Sequence, residues 1–116
     1  MKFLVFDQKE FVTDSEQCLF IASSHVKHFS EIEEFALASE KANNLAPISP
    51  IKGKLVESRL SNLNYSAGLI TNIKEHCSVN LQNHDTVFVI HDNWDIHDFI
   101  FQSEHSYYRY LWSTTA

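Results

Sequence analysis

Short apolar runs separated by polar segments divide this chain into candidate strands and helices. Residues 2–6 and 17–22 are rich in strand-forming side chains, so we expect two strands that pair across the polar stretch between them. Residues 86–90, 96–101 and 107–112 have the same character and are separated by short segments of turn composition. This spacing predicts a C-terminal three-stranded antiparallel meander.

Segments between the strands carry the spacing of helices. Ser30 followed three residues later by Glu33 is a capping-box pattern and predicts a helix start. The stripe that follows at helical spacing comprises Ile32, Phe35, Ala36 and Ser39. A second helix is predicted over residues 66–77, whose apolar face comprises Leu69, Ile70, Ile73 and Cys77. Residues 50–60 give a weaker helix pattern, which Gly53 interrupts.

One α+β domain over residues 1–116 accounts for this order of elements. We expect a mostly antiparallel sheet, made from the N-terminal strand pair plus the C-terminal three-stranded meander. Two or three helices are expected to pack on one of its faces. A chain of 116 residues buries about two-thirds of its surface on folding, so its core needs neither disulfides nor metal.

Glycine and cysteine usage excludes several common kinds of site. The chain has only 2 glycines, Gly53 and Gly68, whereas phosphate-binding loops use several to bring the backbone close to the ligand. Cys18 and Cys77 form no CxxC pair, so we expect two free thiols in a reducing compartment. No apolar run approaches the roughly 18 residues of a membrane span and no export signal follows Met1, so we expect a cytoplasmic protein.

Negative charge is concentrated at the two ends of the chain, and one long stretch in its second half lacks basic residues. The formal net charge is -6, and no Lys or Arg occurs between Glu75 and Tyr108. This balance disfavours direct binding to nucleic acid or to an anionic membrane, because both require clustered basic residues. It favours a basic protein partner, such as a toxin or a nucleic-acid-handling enzyme.

The densest group of potential metal ligands runs from His91 to Asp98 and holds two histidines and three aspartates. If His91 and His97 flank a hairpin turn, their rings can approach each other across the strands and hold zinc or iron with a neighbouring aspartate. We favour a polar turn, because calcium-loop spacing is absent and no further ligand is fixed. His25 and His28 have metal-ligand spacing but need two more ligands.

The C-terminal strand is rich in aromatic residues. Alternation places Tyr108, Tyr110 and Trp112 on one face and Arg109 on the other. Such a strip is either ordinary sheet core or an interface anchored by Tyr, Trp and Arg. The sequence leaves both interpretations open.

Together these features predict a small acidic binding protein that neutralises or inhibits a partner protein by occlusion, in the manner of immunity proteins, antitoxins and anti-defence inhibitors. The expected contact surface is acidic and aromatic and comprises Asp92, Trp94, Asp95, Asp98, Glu104, Tyr108 and Tyr110. Two alternatives stay open: a metal-dependent enzyme or metal-binding module built on residues 91–98, and a self-associating structural or regulatory homodimer. The sequence predicts no catalytic residue, resident metal or cofactor.

Overall fold

Six antiparallel strands form one sheet in the part of the chain that the structure, a computed structural model, describes: residues 8–13, 17–42, 55–63 and 66–114. The strands are β1 (Gln8–Thr13), β2 (Gln17–His25), β3 (Val56–Arg59), β4 (Thr86–Asp92), β5 (Ile96–Ser103) and β6 (Ser106–Thr114). The helices are α1 (Ile32–Ala42) and α2 (Ser66–Cys77), with 3-10 turns at Val26–His28 and Leu60–Asn62. The fold is therefore α+β, with the sheet as its frame.

The strand order is β1-β2-β6-β5-β4-β3. The C-terminal strands form the predicted meander, and β6 also pairs with β2, which joins the meander to the N-terminal hairpin. Leu111 at the centre of β6 lies opposite Phe20 of β2 and opposite Asp98 of β5. Because residues in register share a face, these pairings decide which side chains meet on each side of the sheet.

The two helices cover opposite faces of the sheet. Phe35 of α1 packs in one cluster with Ile100 of β5, whereas Ile73 of α2 packs in another with Phe99 and Tyr110. Neighbouring residues on β5 and β6 thus contact different helices. The expectation that all helices pack on one face is wrong, because both faces of the central strands are buried.

Helix α1 begins one residue later than the capping pattern indicated. Ser30 donates two hydrogen bonds to Oε2 of Glu34, from its backbone N–H at 3.0 Å and from Oγ at 2.6 Å. Since Ile32 is the first helical residue, the N-cap is Glu31, and Glu34 rather than Glu33 occupies the third helical position and reaches back to Ser30, the residue before the cap. The predicted stripe is confirmed: Phe35, Ala36 and Ser39 are buried, and Ile32 is half-buried.

Two segments differ from the sequence-based expectation. The strand β1 occupies Gln8–Thr13, which lies in the stretch expected to be a polar connection, while the strand predicted at residues 2–6 lies outside the described residues. In the predicted helix at residues 50–60, residues 50–54 also lie outside them, and Val56–Arg59 form β3. The backbone of β3 pairs with β4, and this tertiary pairing overrides a weak helical pattern.

Helix α2 and the three C-terminal strands are confirmed. The helix spans the predicted residues Ser66–Cys77, and it buries Leu69 and Ile73. The observed strands are longer than predicted by two or three residues, since pairing extends the ladders into the flanking polar residues. Among the described residues, no helix has both the length and the apolar character needed to cross a bilayer.

Candidate functional site

Trp94 lies in the three-residue loop that joins β4 to β5. Its side chain is 65% exposed, the highest exposure among the large hydrophobic residues that the structure describes. The loop is fixed at both ends, because the Asn93 N–H donates to the Ile96 carbonyl at 2.8 Å and the Thr114 N–H donates to the Asp95 carbonyl at 2.9 Å. A large indole is therefore held on a short, anchored loop in contact with solvent.

A cavity of about 400 Å³ opens beside this loop, between α2 and the sheet. Four aromatic rings and two amides contribute to its lining: Trp94, Trp112, His97, Tyr110, Gln17 and Asn72. None of the described lining residues is Lys or Arg. The cavity is small, aromatic and without a cation of its own, which is the composition of a site for one side chain or one small ligand.

Cross-strand pairing places three of the site residues in one row. His97 lies opposite Asp92 of β4 and opposite Trp112 of β6. The His97 Nδ1 atom is 3.2 Å from Oδ1 of Asp92, and the His97 ring stacks on Trp112 with centroids 5.2 Å apart. The His97 side chain is 5% exposed and the Asp92 side chain 21%. The Asp92 carboxylate is thus hydrogen-bonded to His97, which is one of the aromatic residues that line the cavity.

Hydrogen bonds hold the remaining walls. Trp112 Nε1 donates to Oε1 of Gln17 at 3.2 Å, and Asn72 Nδ2 donates to the Tyr110 hydroxyl at 3.3 Å. Burial raises the pKa of Tyr110, and the bond from Asn72 offsets part of that rise. These bonds fix the two aromatic rings with respect to β2 and α2, so the cavity is largely preformed.

The opposite face of the same strands holds a buried ion network. Arg109 donates from Nε to Oδ1 of Asp98 at 3.0 Å and from Nη2 to Oδ2 at 2.7 Å. Its third nitrogen, Nη1, donates to Ser39 Oγ at 3.1 Å and lies 2.9 Å from Oε2 of Glu40. Arg109 and Asp98 are both 0% exposed. The network ties α1 to the sheet and has no opening to solvent at its centre.

The predicted contact residues separate into three groups. Asp92, Trp94 and Asp95 lie together at or next to the β4–β5 loop. Asp98 and Tyr110 are buried at 0% and 1%, so neither lies on the exposed surface, although Tyr110 contributes to the lining of the cavity. For these two residues the expected surface position requires correction, because Asp98 faces Arg109 under α1 and Tyr110 is packed against α2.

Glu104 and Tyr108 lie at the other end of the sheet. Glu104 is in the β5–β6 turn with a positive φ of 55°, and Tyr108 stacks on Phe101. The eight residues of β5 separate this turn from Trp94, a distance of about 25 Å at the usual rise of a strand. Both residues border a second cavity of about 350 Å³. They do not belong to the surface around Trp94.

The histidines do not assemble as a metal site among the described residues. His91 lies opposite Asp98 and His97 opposite Asp92, so the two rings point to opposite faces and do not approach each other. The His25 ring stacks on His105 at 5.9 Å and meets His28 edge-on at 6.4 Å. Within the described ranges, no group of three or more His, Cys, Asp or Glu side chains is arranged to hold a metal ion.

Sequence reasoning missed Gln17 and Asn72, which complete the cavity. Asn72 precedes the apolar Ile73 on α2, and Gln17 is the first residue of β2. Neither residue belongs to a sequence motif, and each acquires its role only because β2 pairs with β6 and α2 crosses the same face.

Comparison of the chain with protein-family models, with curated proteins and with solved structures finds no match.

Proposed function

We propose that this protein binds a basic protein and neutralises it by occlusion, using the surface formed by Trp94, Asp92, Asp95 and the adjoining cavity, here called the Trp94 surface. The observation that carries the proposal is the 65% exposure of Trp94 on an anchored loop beside a preformed cavity. Exposing an indole to water is costly, and tryptophan is the residue most enriched among the energetic anchors of protein interfaces.

Charge supports a basic partner. The chain has a net charge of -6, and two carboxylates flank Trp94 in sequence on a stretch without any Lys or Arg. Opposite charges speed the encounter of two proteins, while buried aromatic contacts lengthen the lifetime of the complex. A protein of this type acts like an immunity protein, an antitoxin or an anti-defence inhibitor, and we place the encounter in the cytoplasm.

The experiment compares capture by the wild-type protein with capture by Trp94→Ala and Val56→Ala variants. Val56 is a matched control, because it is 63% exposed on the edge strand β3 and is not one of the residues that line the cavity. A basic protein is retained from native lysate by wild type and Val56→Ala and is lost by Trp94→Ala. With that protein purified, Trp94→Ala raises Kd about 30-fold, the effect of losing roughly 2 kcal/mol at an interface anchor.

The same purified pair tests the role of charge. The association rate falls as salt concentration increases, because the steering charges are screened. If the wild type and both variants retain the same proteins, or if the retained protein is acidic, the proposal is wrong.

A further inference from the structure

We infer that the cavity beside Trp94 receives an arginine side chain of the basic partner. This inference rests on the proposed function and adds to it the chemical group that is recognised. Three properties of the cavity carry it: aromatic walls, hydrogen-bond acceptors among its lining groups, and a carboxylate directly behind one wall.

The aromatic walls suit a flat cation. Both tryptophans of the chain line the cavity, and the Trp112 ring is already stacked with His97 at an interplanar angle of 26°. A guanidinium group is planar and weakly hydrated, so it stacks on indole at a smaller desolvation cost than an ammonium group. The volume of about 400 Å³ lies at the small end of ligand sites, which suits one long side chain.

The polar lining groups are matched to a donor-rich ligand. Asn72 uses its Nδ2 atom to donate to Tyr110, and the carbonyl oxygen of the same amide is a hydrogen-bond acceptor. Guanidinium carries five N–H donors and no acceptor, so acceptor groups favour it over an apolar side chain.

Charge favours a cation at the same place. Asp92 is hydrogen-bonded to His97, which lines the cavity, so a single side chain separates the Asp92 carboxylate from the cavity. The described lining contains no Lys or Arg that would repel a guanidinium group. An anionic ligand, such as a phosphate, finds no charged partner in the same lining.

The two tryptophans make the test direct, since the chain has 2 in total and both line the cavity. Intrinsic fluorescence is titrated with the blocked peptide acetyl-Gly-Arg-Gly-amide at constant ionic strength. Three analogues replace arginine by citrulline, lysine or norleucine. Citrulline has the same shape without the charge, and norleucine is purely apolar. We expect the arginine peptide to bind at least about tenfold more tightly than the citrulline and norleucine peptides, and several-fold more tightly than the lysine peptide.

The variants locate the binding site. Trp94→Leu keeps an apolar side chain and loses the indole face, and Trp112 still reports binding by its fluorescence. It weakens the arginine peptide about tenfold, whereas Val56→Ala leaves its affinity unchanged. Equal binding of the citrulline, lysine or norleucine peptide overturns the arginine assignment, and so does arginine binding that Trp94→Leu does not weaken.

The two proposals fail in different ways. If the arginine peptide does not bind while capture of a basic protein still depends on Trp94, the arginine assignment is wrong and the proposed function survives. If the arginine peptide binds in the manner described but no basic protein depends on Trp94 for capture, the cavity is a guanidinium site and the proposed function is wrong.

Discussion

The two faces of the sheet use adjacent residues for different purposes. His97 and Asp98 are neighbours on β5, and Arg109 and Tyr110 are neighbours on β6. Under α1, Asp98 and Arg109 pair with each other and are fully buried. Against α2, His97 and Tyr110 line a cavity that opens to solvent beside Trp94. Strand alternation alone assigns each neighbour to its face.

The contrast separates two polar sites. The closed site is the buried network of Arg109 with Asp98, Ser39 and Glu40, and the open site is the cavity beside Trp94. Burial by itself lowers the pKa of Arg109, but the hydrogen bond and charge of Asp98, with the charge of Glu40, more than compensate and raise it. The guanidinium is therefore charged and satisfied within the protein. The polar groups under α1 are enclosed and fix that helix on the sheet, whereas the polar groups on the other face border a cavity that opens to solvent.

The largest effect is expected from breaking the closed site. Asp98→Asn removes the charge that faces a fully buried guanidinium. We expect the free energy of unfolding to fall by about 3–5 kcal/mol, because the buried guanidinium then keeps only the partly exposed carboxylate of Glu40 as a charged partner. Urea denaturation followed by circular dichroism measures this change.

A double replacement separates the pair from the packing around it. Asp98→Leu combined with Arg109→Met removes both charges and keeps apolar volume, so it should recover most of the stability lost in Asp98→Asn. A loss below about 1 kcal/mol for Asp98→Asn alone would mean that the pair contributes little.

A smaller effect is expected at the floor of the open site. Tyr110→Phe removes the hydroxyl that accepts a hydrogen bond from Asn72 and is expected to lower the free energy of unfolding by about 1 kcal/mol at pH 7. Because burial raises the pKa of Tyr110, the unfolded chain loses this proton at lower pH than the folded protein.

This difference sets the direction of the pH dependence. The contribution of Tyr110 is fully present below its ordinary pKa of about 10 and is lost as the pH rises toward the higher value of the folded state. The stability gap between wild type and Tyr110→Phe therefore narrows above about pH 10. Denaturation at a series of pH values measures it, and a gap that widens with pH contradicts the assignment.

Helix α2 and the C-terminal strands could be predicted, because the pattern that specifies each of them lies within its own residues. The spacing of Leu69 and Ile73 was sufficient for α2, and dense β-branched and aromatic runs were sufficient for the C-terminal strands. The strand β3 was missed because only four residues form it and its partner β4 lies about thirty residues further along the chain. Its structure is decided by pairing and not by its own composition.

The candidate site was half predictable for the same reason. The composition of the segment around Trp94 predicted a turn, and in the structure Trp94 lies in that turn between two aspartates and is 65% exposed. The fate of Asp98 and Tyr110 depended on which helix covers which face. No local pattern contains that information, since both faces of β5 and β6 are apolar enough to be buried.

Glu40 tests how far the closed site extends toward solvent. Its Oε2 atom is 2.9 Å from Arg109 Nη1, but this oxygen makes no hydrogen bond of good geometry, and the side chain is 18% exposed. Glu40→Gln should therefore change the free energy of unfolding by less than about 1 kcal/mol, well below the effect at Asp98. Urea denaturation measures this change.

The double replacement at Asp98 and Arg109 provides the control for Glu40. In that background the guanidinium is absent, so Glu40→Gln should have almost no effect on stability. An equal effect in both backgrounds would show that Glu40 acts without Arg109.

The smallest effect on stability is expected from the residue on which binding depends most. Trp94 is 65% exposed in a loop held by backbone hydrogen bonds of its neighbours, so Trp94→Ala removes little buried area. We expect its free energy of unfolding to stay within about 0.5 kcal/mol of wild type in urea denaturation. A loss above about 2 kcal/mol would mean that the indole supports the fold, and weakened binding in the same variant would then reflect unfolding. A stable Trp94→Ala protein that no longer retains its partner instead assigns this side chain to binding, because the core is then complete without the indole and the indole is needed only for the partner.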